Sequence, residues 1–307
     1  MSGLKVSHSQ LQVWSSCEQK WHYGYELGLQ PKTKAHYFST GDFVHRGLET
    51  VYTARREGLS WDEAIRKLIS HWKADAPQMM EENVQSFNKA TRILKRYVTQ
   101  FAPKADAGLR ILDVEYHFEV DIPTAKGNIV TVEGFIDLLV ELNGMLFAWD
   151  HKTVGSSTFW TQEEAMLDPQ FGIYTLALRE LGYPVKGFIV NQLNVYDYAK
   201  FEEQPNNKLF SRLETYRTDP HLISVRDNVT AMADELIGKR ENGRGYIRHL
   251  SKTTCKGCIF RQPCLYEMKG IDVTNLIEQD FVKRGNRDSG EVTEEHIEDI
   301  SKYALKF

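Results

Sequence analysis

Over the first hundred residues, apolar positions recur every three to four places, the period of helices with one buried face. Leu11, Trp14, Trp21 and Tyr25 form one such series, with Ser9 placed to cap it. A second helix is expected over 41–56. Ser60-Trp61-Asp62-Glu63 has the form of a capping box and opens a third helix, and residues 82–101 make a fourth. From Ile111 the pattern changes to loose alternation rich in Val, Ile, Tyr and Phe, which predicts strands over 111–122 and 129–142. Asn143-Gly144 is a hairpin turn signal, and 145–153 is the returning strand. Asp168-Pro169 suits an N-cap followed by a first-turn proline, opening a helix to about Leu181. Further strands are expected over 185–198 and 209–216, and helices over 221–240 and 293–303. The chain therefore reads as α/β, a central mixed sheet flanked by helices after a helical N-terminal part. Three regions, 1–105, 106–240 and 241–307, are expected to form one compact unit.

The hairpin permits a geometric deduction. A two-residue turn at Asn143-Gly144 pairs Leu142 with Met145, so facing positions sum to 287. Asp137 and Asp150 then face each other, with Cβ atoms about 4.5–5.5 Å apart. Lys152, two residues on, points to the same side, and His151 to the other. Phe135, Ile136, Leu138, Leu139, Phe147, Ala148 and Trp149 surround the pair with apolar groups. Two carboxylates so placed repel each other, and a divalent cation such as Mg²⁺ removes the conflict. The plainer alternatives are that both acids are solvated, or that Lys152 neutralises Asp150.

Composition adds a second candidate centre. The chain has 307 residues, 41% hydrophobic and 26% charged, an ordinary globular balance that argues against disorder. No apolar run approaches the roughly 18 residues of a membrane span, and the N-terminal MSGLKVSHSQ has no hydrophobic signal region. A cytoplasmic protein without a membrane partner is expected. Of four cysteines, Cys17 stands alone while Cys255, Cys258 and Cys264 form C-x2-C-x5-C. In a reducing compartment such a set is more often a metal site than a disulfide pair. Spacing alone leaves zinc, an iron–sulfur cluster and unligated thiols open. The net charge of −4 does not suggest a nucleic-acid binder, yet 239–261 carries seven basic residues against Glu241 alone. Trp14, Trp21, Tyr23 and Tyr25 could stack on bases, although the helical spacing of three of them favours core packing.

The residues together resemble the P-D-(D/E)-x-K nuclease superfamily, with G-F-I-D ending at Asp137 and D-H-K at 150–152. His45 in G-D-F-V-H-R-G-L-E resembles the metal-binding histidine of the RecB-like branch. Gln170 and Tyr174 in Q-F-G-I-Y match its Q-x-x-x-Y motif, four apart on one helix face. The opening S-Q-L-Q-V-W-S-S-C-E-Q-K-W-H-Y and the one-plus-three cysteines resemble the iron–sulfur members: AddB-type helicase-nucleases and CRISPR-associated RecB-like exonucleases. The order of motifs, spanning Ser9 to Cys264, is more specific than any one element.

That resemblance implies a restriction-endonuclease-like fold and an Mg²⁺- or Mn²⁺-dependent DNA exonuclease. It implies His45, Asp137, Asp150 and the His151 carbonyl as metal ligands, Lys152 as the catalytic lysine, and Gln170 and Tyr174 in the active site. It further implies a [4Fe–4S] cluster on Cys17, Cys255, Cys258 and Cys264 that joins the terminal segments. The partners would be DNA, single-stranded or with free ends, and proteins of a recombination or CRISPR adaptation complex. Ile136 stands where the motif name has proline, and Asp150 where many members carry Glu. No G-x-x-x-x-G precedes Lys152, which excludes a full helicase-nuclease on this chain. Glu115, an acid on the preceding strand, reads as solvated. A DNA-binding or assembly subunit and a structure-specific endonuclease are the competing readings.

Overall fold

The computed structural model describes residues 3–32 and 39–284, the side chains of 75–82 excepted. Eight strands are described: β1 (Gly3–Ser7), β2 (Leu29–Pro31), β3 (Leu109–Pro123), β4 (Ile129–Leu142), β5 (Met145–Val154), β6 (Gly187–Asn194), β7 (Phe210–Tyr216) and β8 (Phe281–Lys283). The described residues divide into two compact units, one of 39–120 and 134–226, the other of 3–32, 121–133 and 227–284.

The first unit is a mixed sheet between helices. β4 and β5 form the antiparallel hairpin, β5 runs parallel to β6, and β6 antiparallel to β7. Asn143 and Gly144 both take positive φ (52° and 73°), the twist a two-residue hairpin turn requires. The register pairs Leu142 with Met145 and Leu138 with Trp149, as the sum of 287 demands. The parallel β5–β6 step needs a crossover, and the helix Pro169–Glu180 supplies it, capped by Asp168 with Pro169 in its first turn. Phe171 of that helix stacks on Phe188 of β6 at 4.8 Å. The opposite side of β5 presents Phe147 and Trp149 to a core built with Phe43, Leu48 and Tyr52 of the helix Thr40–Arg56. That helix and the next open on capping boxes, Ser39 with Asp42 and Ser60 with Glu63.

The third and fourth helices meet at Asn83, whose non-helical backbone (φ −157°, ψ 75°) breaks the run Trp61–Arg96. The Asn83 side chain then caps Ser86 N at 3.1 Å. β6 is shorter than 185–198 because its neighbour ends: Val154 pairs with Asn194, and no ladder continues beyond it. Every residue of β6 is buried, as befits a central strand with parallel pairing on one side.

The other unit joins chain ends. β1 pairs in parallel with Ile129–Glu133 of β4, and β2 antiparallel with β8. Ser7, not Ser9, caps the first helix (His8–Ser16), accepting from Gln10 N. The single helix expected through Trp21 and Tyr25 is interrupted at Cys17, whose extended backbone (φ −171°, ψ 114°) separates it from Glu18–Trp21 and a π-helical turn at His22–Glu26. Trp14, Trp21 and Tyr23 are buried. Trp14 and Trp21 pack edge-to-face at 5.3 Å, so these rings are core rather than a base-stacking surface. The expected helix 293–303 lies outside the described residues, among which no helix is long and apolar enough to cross a membrane.

Gly134 marks where the hairpin tolerates no side chain: an added Cβ would meet the Phe118 ring at 2.7 Å and the Tyr174 ring at 2.9 Å. Gly134→Ala should therefore lower stability by about 1–3 kcal/mol through overpacking. Chemical denaturation would show this as a reduced midpoint at unchanged slope.

Candidate active site

The site forms where the hairpin ladder stops. Beyond the Leu138–Trp149 pair, the His151 amide donates to Asp137 Oδ2 at 2.6 Å, and a facing Asp137–Asp150 pair is not part of the ladder. Asp137 also meets His45 Nδ1 at 3.4 Å, brought by the helix Thr40–Arg56. Asp150 turns the other way, to Lys152 Nζ at 3.0 Å. Gln170 sits between them, donating through Nε2 to Asp150 Oδ1 (3.2 Å) and accepting from Lys152 Nζ (2.9 Å). The Tyr174 hydroxyl, one turn along, hydrogen-bonds to Gln170. The sequence-derived carboxylates, lysine, histidine and glutamine thus come together in one unit. His151 faces the core, as strand alternation requires, with its ring 3% exposed.

Charge is concentrated and poorly solvated here. Burial, reinforced by the charge of Asp137, pushes the Asp150 carboxyl up to about 7, against the pull of Lys152. Burial also raises Asp137, but the hydrogen bond and charge of His45 outweigh it and hold Asp137 below the ordinary carboxylate range. Burial lowers His45, yet Asp137, followed by Asp150 and Glu115, carries it up to about 9. Burial and the Asp150 charge push the Tyr174 phenol up to about 12.

Two acids join this field that the motif did not include. Glu115 of β3 rises to about 7 through desolvation and the charges of Asp137 and Glu49. Its φ of 51° is unusual for a strand and for any residue but glycine. Glu49 is raised too, first by desolvation and then by Asp137 against Arg46. Glu49 lies four residues after His45, a helical spacing visible in the sequence. Nothing in the sequence announces the backbone of Glu115, which is why an acid on a strand read as solvated.

No choice of one donor atom from each of His45, Asp137 and Asp150 places all three within 4.8 Å of one another. In this state each carboxylate is spoken for by a cationic or amide partner. The donor set nevertheless suits a hard divalent cation: two carboxylates and an imidazole, with Asp150 buried. His45 and Asp150 must exchange their present partners to reach a shared ion.

The family model of the PD-(D/E)XK nuclease superfamily matches residues 5–265. The chain belongs to this superfamily. Its mixed sheet between helices is the restriction-endonuclease-like arrangement, and PD-(D/E)XK nucleases usually use divalent metals. Two solved structures are similar to it. The crystal structure of SSO0001 is 10% identical, with TM-score 0.38, over 86% of this chain and 87% of that one. LHK-Exo in complex with dAMP is 13% identical, with TM-score 0.30, over 66% of this chain and 98% of that one. No curated protein matches.

The cysteines of this PD-(D/E)XK chain all fall in the other unit. Cys17 lies at the break between the two N-terminal helical segments, Cys255 in Lys252–Lys256, Cys258 in the following turn, and Cys264 in Arg261–Glu267. All four are free and half-buried. Burial raises Cys258 and Cys264, and the charge of Cys17 raises both further. No three of the thiols lie mutually within 4.8 Å. A single tetrahedral zinc ion would need sulfurs about 3.8 Å apart from Zn–S bonds of about 2.3 Å.

A proton balance follows from the carboxylate site. With His45 raised to about 9 and Asp150 to about 7, both hold protons near pH 7 that they would have to lose to ligate a metal. Mn²⁺ binding should therefore release about one to two protons at pH 7, and affinity should rise with pH between 6 and 9. Calorimetry in two buffers of different ionisation enthalpy would check the count; heats independent of buffer would contradict it.

Proposed function

We propose that this nuclease is an Mg²⁺- or Mn²⁺-dependent DNA exonuclease, acting on single-stranded or end-containing DNA, with a [4Fe–4S] cluster as a structural clasp. The observation that carries the reading is the Lys152–Gln170–Asp150 contact set beside Asp137 and His45. In this reading His45, Asp137, Asp150 and the His151 carbonyl hold the cation. A divalent metal supplies Lewis-acid polarisation of the scissile phosphate and a bound water acidified toward hydroxide. Lys152, released from Asp150, orients the attacking water or meets the charge developing on phosphate. Gln170, which accepts from Lys152 at 2.9 Å, would keep that lysine in reach. Tyr174 steadies Gln170 from behind, and burial keeps its phenol protonated.

The four free cysteines are the residues that would hold the cluster. Cys17 and Cys255 act electrostatically on Cys258, and Cys17 on Cys264, so the lone cysteine and the triplet share one neighbourhood, which a centre bound by four thiolates would require. Arg248 donates to Cys264 and pairs with Glu267 at 2.6 Å; its pull toward thiolate is outweighed by burial and the charges of Cys17 and Glu267, which hold that thiol above its ordinary value. The basic stretch is partly spent on internal pairs: Lys239 with Glu18, and Arg240 with Glu26 at 3.0 Å. The exposed Arg244, Lys252, Lys256 and Arg261 are left as the phosphate-contacting candidates of that segment. Recombination, repair and CRISPR adaptation all use such an activity.

End-labelled linear and circular single-stranded DNA, incubated with Mn²⁺, test the activity. The parent should degrade linear DNA and leave circles intact, and Asp150→Ala and Lys152→Ala should each reduce the rate at least 100-fold. Variants as active as the parent would sink the assigned site. Cut circles would favour a structure-specific endonuclease, and a parent that binds DNA without cutting it an assembly subunit. Anaerobically purified protein should be brown with about four irons per chain; colourless protein with stoichiometric zinc would refute the cluster.

A further inference from the structure

Behind the carboxylates, the core of the same unit contains a closed set of polar contacts that the chemistry above does not use. His151 stacks on Tyr52 (5.4 Å, 22° between planes). Its Nδ1 lies 3.2 Å from Trp149 Nε1 and 2.9 Å from Asn191 Nδ2. An indole nitrogen can only donate, so Nδ1 carries the lone pair and the ring proton sits on Nε2. The buried Nε2–H has no protein acceptor, an unmet donor that an unconstrained ring would avoid. The tautomer is therefore imposed from the Nδ1 side.

Asn191 is fully buried, and its own orientation is set one step further back. Arg212 Nε donates to Asn191 Oδ1 at 3.1 Å, which leaves the amide NH₂ to face His151. Arg212 in turn pairs with Asp106 at 2.5 Å and donates to the Tyr97 hydroxyl at 3.0 Å. Tyr52 donates to Asp106 at 2.9 Å and lies 2.7 Å from the Tyr97 hydroxyl, closing the set. Tyr52 is two turns after His45 on one helix, and His151 lies between Asp150 and Lys152 on β5. A buried ion pair with this many partners is rarely the cheapest way to fill a core. What it adds here is position, since the His151 amide is the group that holds Asp137.

We infer that Asn191 and Arg212 are positioning residues of the cation site: through the His151 ring they fix the peptide between Asp150 and Lys152, and with it the Asp137 carboxylate. The inference rests on the nuclease reading for its metal, but the ring state can be read without activity. In Asn191→Asp the acceptor for Arg212 remains while the donor to His151 becomes an acceptor. Long-range ¹H–¹⁵N spectra should then show the His151 proton moved to Nδ1. Mn²⁺ affinity, measured from the free-ion electron paramagnetic resonance signal, should fall at least ten-fold, the range typical of lost outer partners. DNA affinity in chelator should stay within two-fold, separating this effect from a damaged fold. Should Asn191→Asp not fold, the isosteric Asn191→Leu carries the Mn²⁺ measurement. An unmoved His151 proton in Asn191→Asp, or Mn²⁺ affinity unchanged in a folded variant whose parent binds Mn²⁺ and cuts DNA, overturns the inference. A parent that neither binds Mn²⁺ nor cuts DNA, with the His151 proton still moved by Asn191→Asp, brings down the nuclease reading instead and leaves the ring lock standing.

Discussion

Two aspartates withdrawn from water beside one another are the constraint around which the first unit is arranged. Asp150 is buried to within 6% of its surface, and its carboxyl is pushed up to about 7. A carboxylate in such a place needs a cation, a donor or a proton. The structure supplies partial answers from three elements: Lys152 from β5 itself, Gln170 from the crossover helix, and His45 from the helix against the opposite face. None satisfies both acids, and the separate partners hold the two carboxylates apart. Such concentrated buried charge in an otherwise apolar hairpin is the kind of arrangement found at functional sites.

The same constraint explains the hairpin's irregular end. Regular pairing would set Asp137 against Asp150 at the closest approach of two strands. Instead the His151 amide turns to Asp137, the ladder stops at Leu138–Trp149, and the acids part. Beneath this break the protein invests in the Tyr52–Asp106–Arg212–Asn191 set, whose members come from helix, loop and two strands.

The other unit meets a different difficulty, the joining of distant stretches of chain. Its cluster of Tyr23, Leu29, Phe260 and Phe281 is small, with Cys258 and Cys264 packed against it. Ion pairs and hydrogen bonds from Glu18 and Glu26 to Lys239, Arg240, Tyr246 and the Ile247 amide tie the N-terminal helices to residues more than two hundred positions away. Glu18 is buried, whereas the Glu26–Arg240 pair lies nearer solvent and contributes little. In the proposed reading, a centre bound by Cys17 and the triplet would add stabilisation, because its binding energy is folding energy.

Local signals determined much of this molecule. Alternation and the Asn143-Gly144 turn set the β4–β5 register, capping boxes placed two helices, and Asp168-Pro169 started a third, because each is decided by neighbours within a few residues. The register in turn brought Asp137, Asp150 and Lys152 to one neighbourhood, and the ordered motifs added His45 and Gln170. Contacts over long separations were left to the tertiary structure. Where the ladder stops depends on desolvated charge, which no alternation pattern reports. The φ of Glu115 and its place beside Asp137 depend on the whole sheet. The break at Cys17 splits a series that looked continuous, because a helix ends where its partners pull it, not where its period fails. The buried Asn191 and half-buried Arg212 read as ordinary strand residues, and only packing brought them together behind the carboxylates.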